Sequence, residues 1–254
     1  MSGLRVAAPA SVAEALAGIA GIAGVGPFFA VTVGAADGRW RPVAHAYADG
    51  MAHLVAARAA RYGTSEPRIA ASIVQLGHAA RLWALVLGCA AAHGVVPDLG
   101  DLHQESGGGA LRLPEPRGLV APGLDDLAPL LYRTVMAEHL APLAAGLRVK
   151  VAPGLLHGNA ASALAEAARD LAGARPGLRV PVSGLARRLL GLGDLRGRGD
   201  FTGPGLTFRR RTCCLYHRVP GAARCGDCWF GRASRPGRPE PSPTVATLDV
   251  DHRA

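Results

Sequence analysis

From Pro67 to about His93 the chain is apolar on almost every side of a helical wheel. The run opens at Ser65-Glu66-Pro67: an N-cap, an acid in the first turn, and a proline where its missing N–H costs nothing. It closes on Gly94 and Pro97, with Gly88 the candidate break inside it. A helix that is apolar all round is not a surface helix; it must be wrapped by other elements. The run therefore predicts a helical body built round one central helix. His78 and His93 read as satisfied core histidines on that helix. Arg81 is a charge inside the apolar run and needs a partner, so it is either half of a structural ion pair or part of a site.

The remaining patterns supply the wrapping. With 254 residues the chain is long enough for one large or two small domains and a sizeable core. Ser11-Val-Ala-Glu14 reads as a capping box opening a first helix to about Ile22. Phe28–Val33 reads as a strand, Trp40–Asp49 as a second strand or a loop, and Gly50–Tyr62 as a helix. Gln104–Gly118 reads as a Gly/Pro-rich connection with a short strand at Ala110–Leu113. Asp125–Leu147 reads as one or two helices, with Pro142 inside. Ala160–Ala172 reads as a helix with Asn159 as N-cap, and Val182–Leu190 as another. Gly191–Gly205 is a glycine-rich loop. The fold class expected is α+β, predominantly α-helical: a helical body over 1–200, a C-terminal cysteine segment over 201–230, and a tail over 231–254 whose Arg, Pro, Ser and Gly content predicts disorder.

The uncharged run Ala15–Ala36 is long enough to span a bilayer, but it holds five glycines and Pro27 and reads as a helix end followed by a strand. The opening residues lack a basic region followed by an apolar core and a cleavage site. Five cysteines without such a leader suggest a reducing, cytoplasmic setting in which thiols stay free.

Four of the five cysteines fall in the last quarter, as Cys213-Cys214, ten residues, then Cys225-Gly226-Asp227-Cys228. Cys89 lies far upstream in an apolar stretch and reads as a small core residue. Cys225-x-x-Cys228 is a natural chelate, and Gly226 suits its tight turn. The adjacent pair is less usual, because neighbouring side chains in a strand point to opposite faces. Either the backbone bends there or each sulfur reaches a different metal. A structural four-cysteine zinc site usually has two C-x2-C-like arms, whereas a [2Fe–2S] cluster takes two thiolates per iron; both readings stay open on spacing alone.

The net charge is +9 with a pI of about 10.2, and arginine supplies nearly all of the positive charge. Such a balance favours anionic partners. Arg209, Arg210, Arg211, Arg218 and Arg224 sit among the cysteines. Aromatics interleaved with these basic residues are lacking, which argues against nucleic acid as the partner. Gly191-Leu-Gly193-Asp-Leu-Arg-Gly197 has the wrong spacing for a dinucleotide fingerprint and follows a helix, and no P-loop is present. If the site is a redox centre, its electrons must come from outside the chain.

Arg209–Phe230, RRRTCCLYHRVPGAARCGDCWF, closely resembles the C-terminal signature of the FhuF-type ferric-siderophore reductases, Cys-Cys-x10-Cys-x2-Cys, without insertion. Arg210, Arg211, Leu215, Tyr216, Arg218, Val219, Pro220, Gly226 and Asp227 also fit that pattern. Weaker similarity lies at Arg68–Trp83 and at His157–Leu164, where His157 stands in place of a tryptophan common in relatives. The resemblance implies a [2Fe–2S] cluster on Cys213, Cys214, Cys225 and Cys228, and one-electron reduction of siderophore-bound Fe(III). It also implies a substrate region in the helical body and an external electron donor, such as a ferredoxin or flavoprotein reductase. The five arginines would tune the cluster or bind substrate or donor. His217, between the cysteine pairs, either hydrogen-bonds to the cluster or stays at the surface. Transmembrane anchoring is not expected, although the basic face leaves room for peripheral membrane contact. The rival readings are an iron–sulfur carrier or sensor without its own substrate site, and a zinc-binding, Arg-rich nucleic-acid module.

Overall fold

The computed structural model describes residues 4–22, 24–121, 123–203 and 205–230. The tail over 231–254, expected to be disordered, lies outside the described residues. The helices are α1 (Pro9–Ala20), α2 (Val43–Ala48), α3 (Ala52–Arg61), α4 (Pro67–His93), α5 (Leu124–Tyr132), α6 (Ala141–Gly146), α7 (Pro153–Ala174) and α8 (Arg179–Leu190), and a π-helical stretch, Arg133–Leu140, joins α5 to α6. The strands are two or three residues each. They are β1 (Arg5–Val6), β2 (Thr32–Val33), β3 (Trp40–Pro42), β4 (Val95–Pro97), β5 (His103–Glu105), β6 (Leu111–Leu113), β7 (Gly118–Val120), β8 (Gly199–Phe201) and β9 (Phe208–Arg210). The class is α+β with helices predominating, as the sequence predicts.

Helix α4 is the axis of the body. Pro67 occupies its first turn, and Gly94, at φ +65°, caps its end in the left-handed conformation that glycine adopts without strain. It runs unbroken through Gly88, which packs against Ile19 of α1. Helices α1, α3, α7 and α8 pack on it, α7 most extensively. By length and composition α4 could cross a membrane, but nearly all of its most apolar stretch is buried in the body. Arg81 lays its guanidinium over the Phe28 ring, 5.1 Å from the centroid, so an aromatic face is one of its partners. His78 is buried and meets the Tyr47 hydroxyl at 2.6 Å; the same hydroxyl meets His139 of the π-helical stretch at 2.8 Å.

The strands form three small sheets: β1-β7-β4, antiparallel; β2-β6-β5-β3, in which only β2 and β6 are parallel; and the hairpin β8-β9. Several local expectations are corrected. Helix α1 begins at Pro9 with no side-chain cap, so Ser11 and Glu14 lie within it; the preset φ of Pro9 supplies the start instead of a capping box. The expected strand Phe28–Val33 splits, because Pro27–Phe29 form a 3-10 turn that buries both aromatic rings, and only Thr32–Val33 pair. Trp40–Asp49 turns from a strand into α2. The glycine-rich stretch 191–205 contains a 3-10 turn and β8. Helix α7 begins at Pro153, so Asn159 lies inside it and is fully buried.

Candidate functional site

The hairpin β8-β9 delivers the cysteines to α7. Phe208 is buried and meets Phe201 edge-on at 5.7 Å, and the Arg211 N–H donates to the Arg198 carbonyl at 2.8 Å. β9 lies against α7 at Gly158, where a Cβ would fall 1.9 Å from Thr212 Oγ1 and 3.2 Å from its Cβ. Only a residue without a side chain allows this approach.

After Cys214 the chain turns sharply. Leu215 takes the left-handed conformation at φ +69°, its N–H points at Cys213 Sγ at 3.3 Å, and a 3-10 turn over Tyr216–Arg218 follows. This bend answers the problem posed by adjacent cysteines in an extended chain. Cys225 and Cys228 are joined by a turn in which the Cys228 N–H donates to the Cys225 carbonyl at 3.2 Å. All four cysteines line one narrow pocket, together with Arg210, Thr212, His217 and Trp229. Cys214 and Cys225 are 3.5 Å apart, sulfur to sulfur, and Cys213 Sγ is 3.3 Å from His217 Nδ1. Among the described residues no group of three or more His, Cys, Asp or Glu side chains converges as a single-ion site.

The wall behind the pocket is a polar network between the facing sides of α4 and α7. Asn159 of α7 donates through Nδ2 to the Ser72 carbonyl at 2.9 Å and to Gln75 Oε1 at 3.0 Å. Ser72 Oγ in turn donates to the Cys214 carbonyl at 2.8 Å, fixing the first cysteine pair to α4. Arg210, 1% exposed, donates through Nη2 to Asn159 Oδ1 at 2.6 Å. The second pair is fixed through Asp227. Its carboxylate accepts from Ser162 Oγ at 2.5 Å and lies 3.6 Å from Arg169, while its carbonyl accepts from the Arg210 N–H at 3.2 Å. Deleting one partner of such a buried bond costs about 1–3 kcal/mol, so the network holds both cysteine pairs in place.

The charges of the pocket follow from this wall. Cys214 is lowered to about 6, first by its hydrogen bond with Cys225 and further by the Arg210 charge, against the penalty of burial. Cys225, which shares that hydrogen bond, is pushed up, and burial raises Cys213. Burial also raises Asp227, opposed by Ser162, Arg169 and Arg210. Arg210 Nε is buried with no partner among the described residues, a donor left over at the pocket wall.

The expected arginines separate into distinct environments. Arg210 lines the pocket. Arg211 pairs with Asp200 at 2.9 Å, and Arg218 pairs with Glu66 at 2.7 Å. Arg209 donates to the Trp229 carbonyl and Arg224 to the Phe230 carbonyl, each at 3.2 Å. His157 lies 3.7 Å from Asp194, with its pKa lowered chiefly by partial burial. Cys89 is buried away from the pocket-lining set, and burial pushes its thiol up to about 12. Sequence reasoning placed Asn159 at a helix end and gave no role to Ser72, Gln75 or Ser162. The available signal was a polar pair three residues apart on each of α4 and α7, which puts both members on one face.

No curated protein and no solved structure matches the chain. Residues 210–228, which carry all four pocket cysteines and Arg210, match the family described as the FhuF 2Fe-2S C-terminal domain.

Proposed function

We propose that the protein is a ferric-siderophore reductase, an oxidoreductase acting on metal ions in a reducing, cytoplasmic setting. It would transfer single electrons from an external donor to chelated Fe(III) through a [2Fe–2S] cluster. The observation that carries this reading is the meeting of four thiols and a buried guanidinium in one pocket, within the matched segment. The donor set suits the group: four sulfurs provide two thiolates for each of two irons, and no single-ion geometry is required. Cys213, Cys214, Cys225 and Cys228 would hold it. When bound, the cluster supplies a one-electron store at the surface of the body.

The chain's own residues do the rest. Arg210 offsets the negative charge that four thiolates bring and favours the more reduced state of the pocket. Ser72, Asn159 and Asp227 keep the cysteines from rearranging when that charge changes. Cys214 and Cys228, both buried, close the inner side against water, while Cys213 and Cys225 are part-exposed. The siderophore holds Fe(III) through hard oxygen donors; one added electron gives Fe(II), which those donors bind more weakly, and the metal leaves with the chelator intact. The electron would come from a ferredoxin or a flavoprotein reductase steered by the basic segment.

The test is anaerobic reconstitution of the full chain, with iron and sulfide analysis and electron paramagnetic resonance after reduction. Two irons and two sulfides per chain are expected, lost when any of the four cysteines becomes Ser and kept in Cys89→Ser. A colourless protein holding stoichiometric zinc would overturn the reading in favour of a structural zinc site.

A further inference from the structure

We propose that His217 is a positioning residue of the redox site: its imidazole donates from Nδ1 to the Cys213 sulfur and raises the potential at which the loaded pocket takes its electron. The inference rests on the cluster reading above and concerns how that same site is tuned. His217 is exposed, and it is the one histidine among the residues that line the pocket. Its Nδ1 lies 3.3 Å from Cys213 Sγ, and the Leu215 N–H meets the same sulfur at 3.3 Å. A thiolate that binds metal carries no hydrogen and can only accept. The hydrogen of the bond to His217 therefore sits on Nδ1.

Two features argue that this contact is built. The first is the backbone between the two residues. Leu215 holds φ +69°, a left-handed conformation that a side chain disfavours, and the 3-10 turn over Tyr216–Arg218 follows at once. That bend returns residue 217 to residue 213 and aims two N–H donors at one sulfur. The second is the support of the ring. Phe230, just beyond Cys228, meets the imidazole edge-on with 5.6 Å between centroids. A histidine that was merely solvated would need neither feature. The inner wall of the pocket has the buried Arg210, whereas Cys213 is only part-buried and has His217 beside it. One added electron makes the ligating sulfurs more negative, so an N–H···S bond is stronger in the reduced state and the potential rises. The bond therefore acts oppositely on the two half-reactions. With it, a given donor fills the pocket more readily and a given ferric chelate empties it less readily.

The test uses the cluster-loaded full chain. His217→Phe keeps a ring in place and removes the donor; His217→Asn sets an amide N–H close to where Nδ1 lies. In His217→Phe the reduction equilibrium is expected to move about tenfold toward the oxidised form, the equivalent of about 59 mV for one electron. His217→Asn should recover most of this shift, and Phe230→Ala, which frees the ring, should show part of it. The rates should diverge: His217→Phe is reduced more slowly by a reduced ferredoxin and reoxidised faster by a ferric siderophore, whereas a purely structural lesion slows both. Pulsed electron paramagnetic resonance of the reduced, unsubstituted chain with nitrogen-15 in its histidines needs no variant, and a weak nitrogen coupling is expected. Absence of that coupling would overturn the proposal, and a strong one would overturn it by making His217 an iron ligand. An unchanged potential in His217→Phe, or an equal fall in His217→Asn, would overturn it as well. A chain that takes up no iron and sulfide overturns the cluster reading and this proposal with it; a loaded chain with an unchanged potential overturns this proposal alone.

Discussion

A buried guanidinium is costly unless its surroundings repay it, and Arg210 has few partners to do so. Asn159 Oδ1 takes one donor, Thr212 Oγ1 lies at 3.5 Å, and Nε has no partner among the described residues. The remaining compensation is negative charge close by, from the Asp227 carboxylate and from the thiolates of the pocket. Arg210→Gln is therefore expected to lower the midpoint potential of the loaded protein by on the order of 100 mV, the effect of a unit charge at about 6–8 Å with an effective dielectric near 20. Asn159→Ala, which keeps the charge but releases it, should shift the potential in the same direction by less. Spectroelectrochemical titration decides this, and an unchanged potential in Arg210→Gln would show that the arginine is only a structural pin. Arg211→Gln is the control: its guanidinium already answers Asp200, so the potential should move little.

At the scale of elements the site depends on how closely the β8-β9 hairpin rides on α7. Gly158→Ala would place a methyl against Thr212 Oγ1, and the thin hairpin should yield before the long helix does. The expected outcome is a marked loss of cluster occupancy with far-UV circular dichroism nearly unchanged. Thr212→Ala in the same chain, which removes the closest atom, should restore part of the occupancy; full occupancy in Gly158→Ala alone would contradict the close contact. This joint also shows what the sequence could reveal. α4 was legible because an apolar run with proline at one end and Gly94 at the other admits one reading. The cysteine spacing marked the site. The wall behind it was not legible, because Asn159 ahead of an alanine-rich run resembles an N-cap, and only the start of α7 at Pro153 puts it indoors. Short strands such as β2 and β5 were missed or misplaced because their pairing is set by tertiary contacts, with little propensity of their own.

At the scale of the whole molecule the core carries a second buried polar cluster, Tyr47, His78 and His139. Burial lowers both histidines, His139 to about 4 and His78 well below its usual value, so both stay neutral in the fold. Nearby charges modify this: Arg81 lowers His78 further, while Asp98 raises His139. In the unfolded chain they titrate near 6.5. Between about pH 6.5 and 4 the unfolded chain binds more protons, so these groups make stability fall as pH falls. From pH 6.5 to 5, where few carboxylates have begun to titrate, His139 alone accounts for a loss of about 1.5–2 kcal/mol. Denaturant midpoints across that range, with a shallower slope in His139→Leu, would bear this out; a flat profile in the unaltered chain would contradict it.

The central claim is that electrons pass from this cysteine pocket to siderophore-bound iron. The most direct measurement is an anaerobic single turnover: the loaded protein is reduced, freed of reductant and mixed with a ferric siderophore in the presence of an Fe(II) trap. The account predicts that the visible spectrum returns to the oxidised form as a matching amount of Fe(II) is trapped. A reduced pocket that stays reduced in the presence of every ferric siderophore offered, with no Fe(II) released, would contradict it.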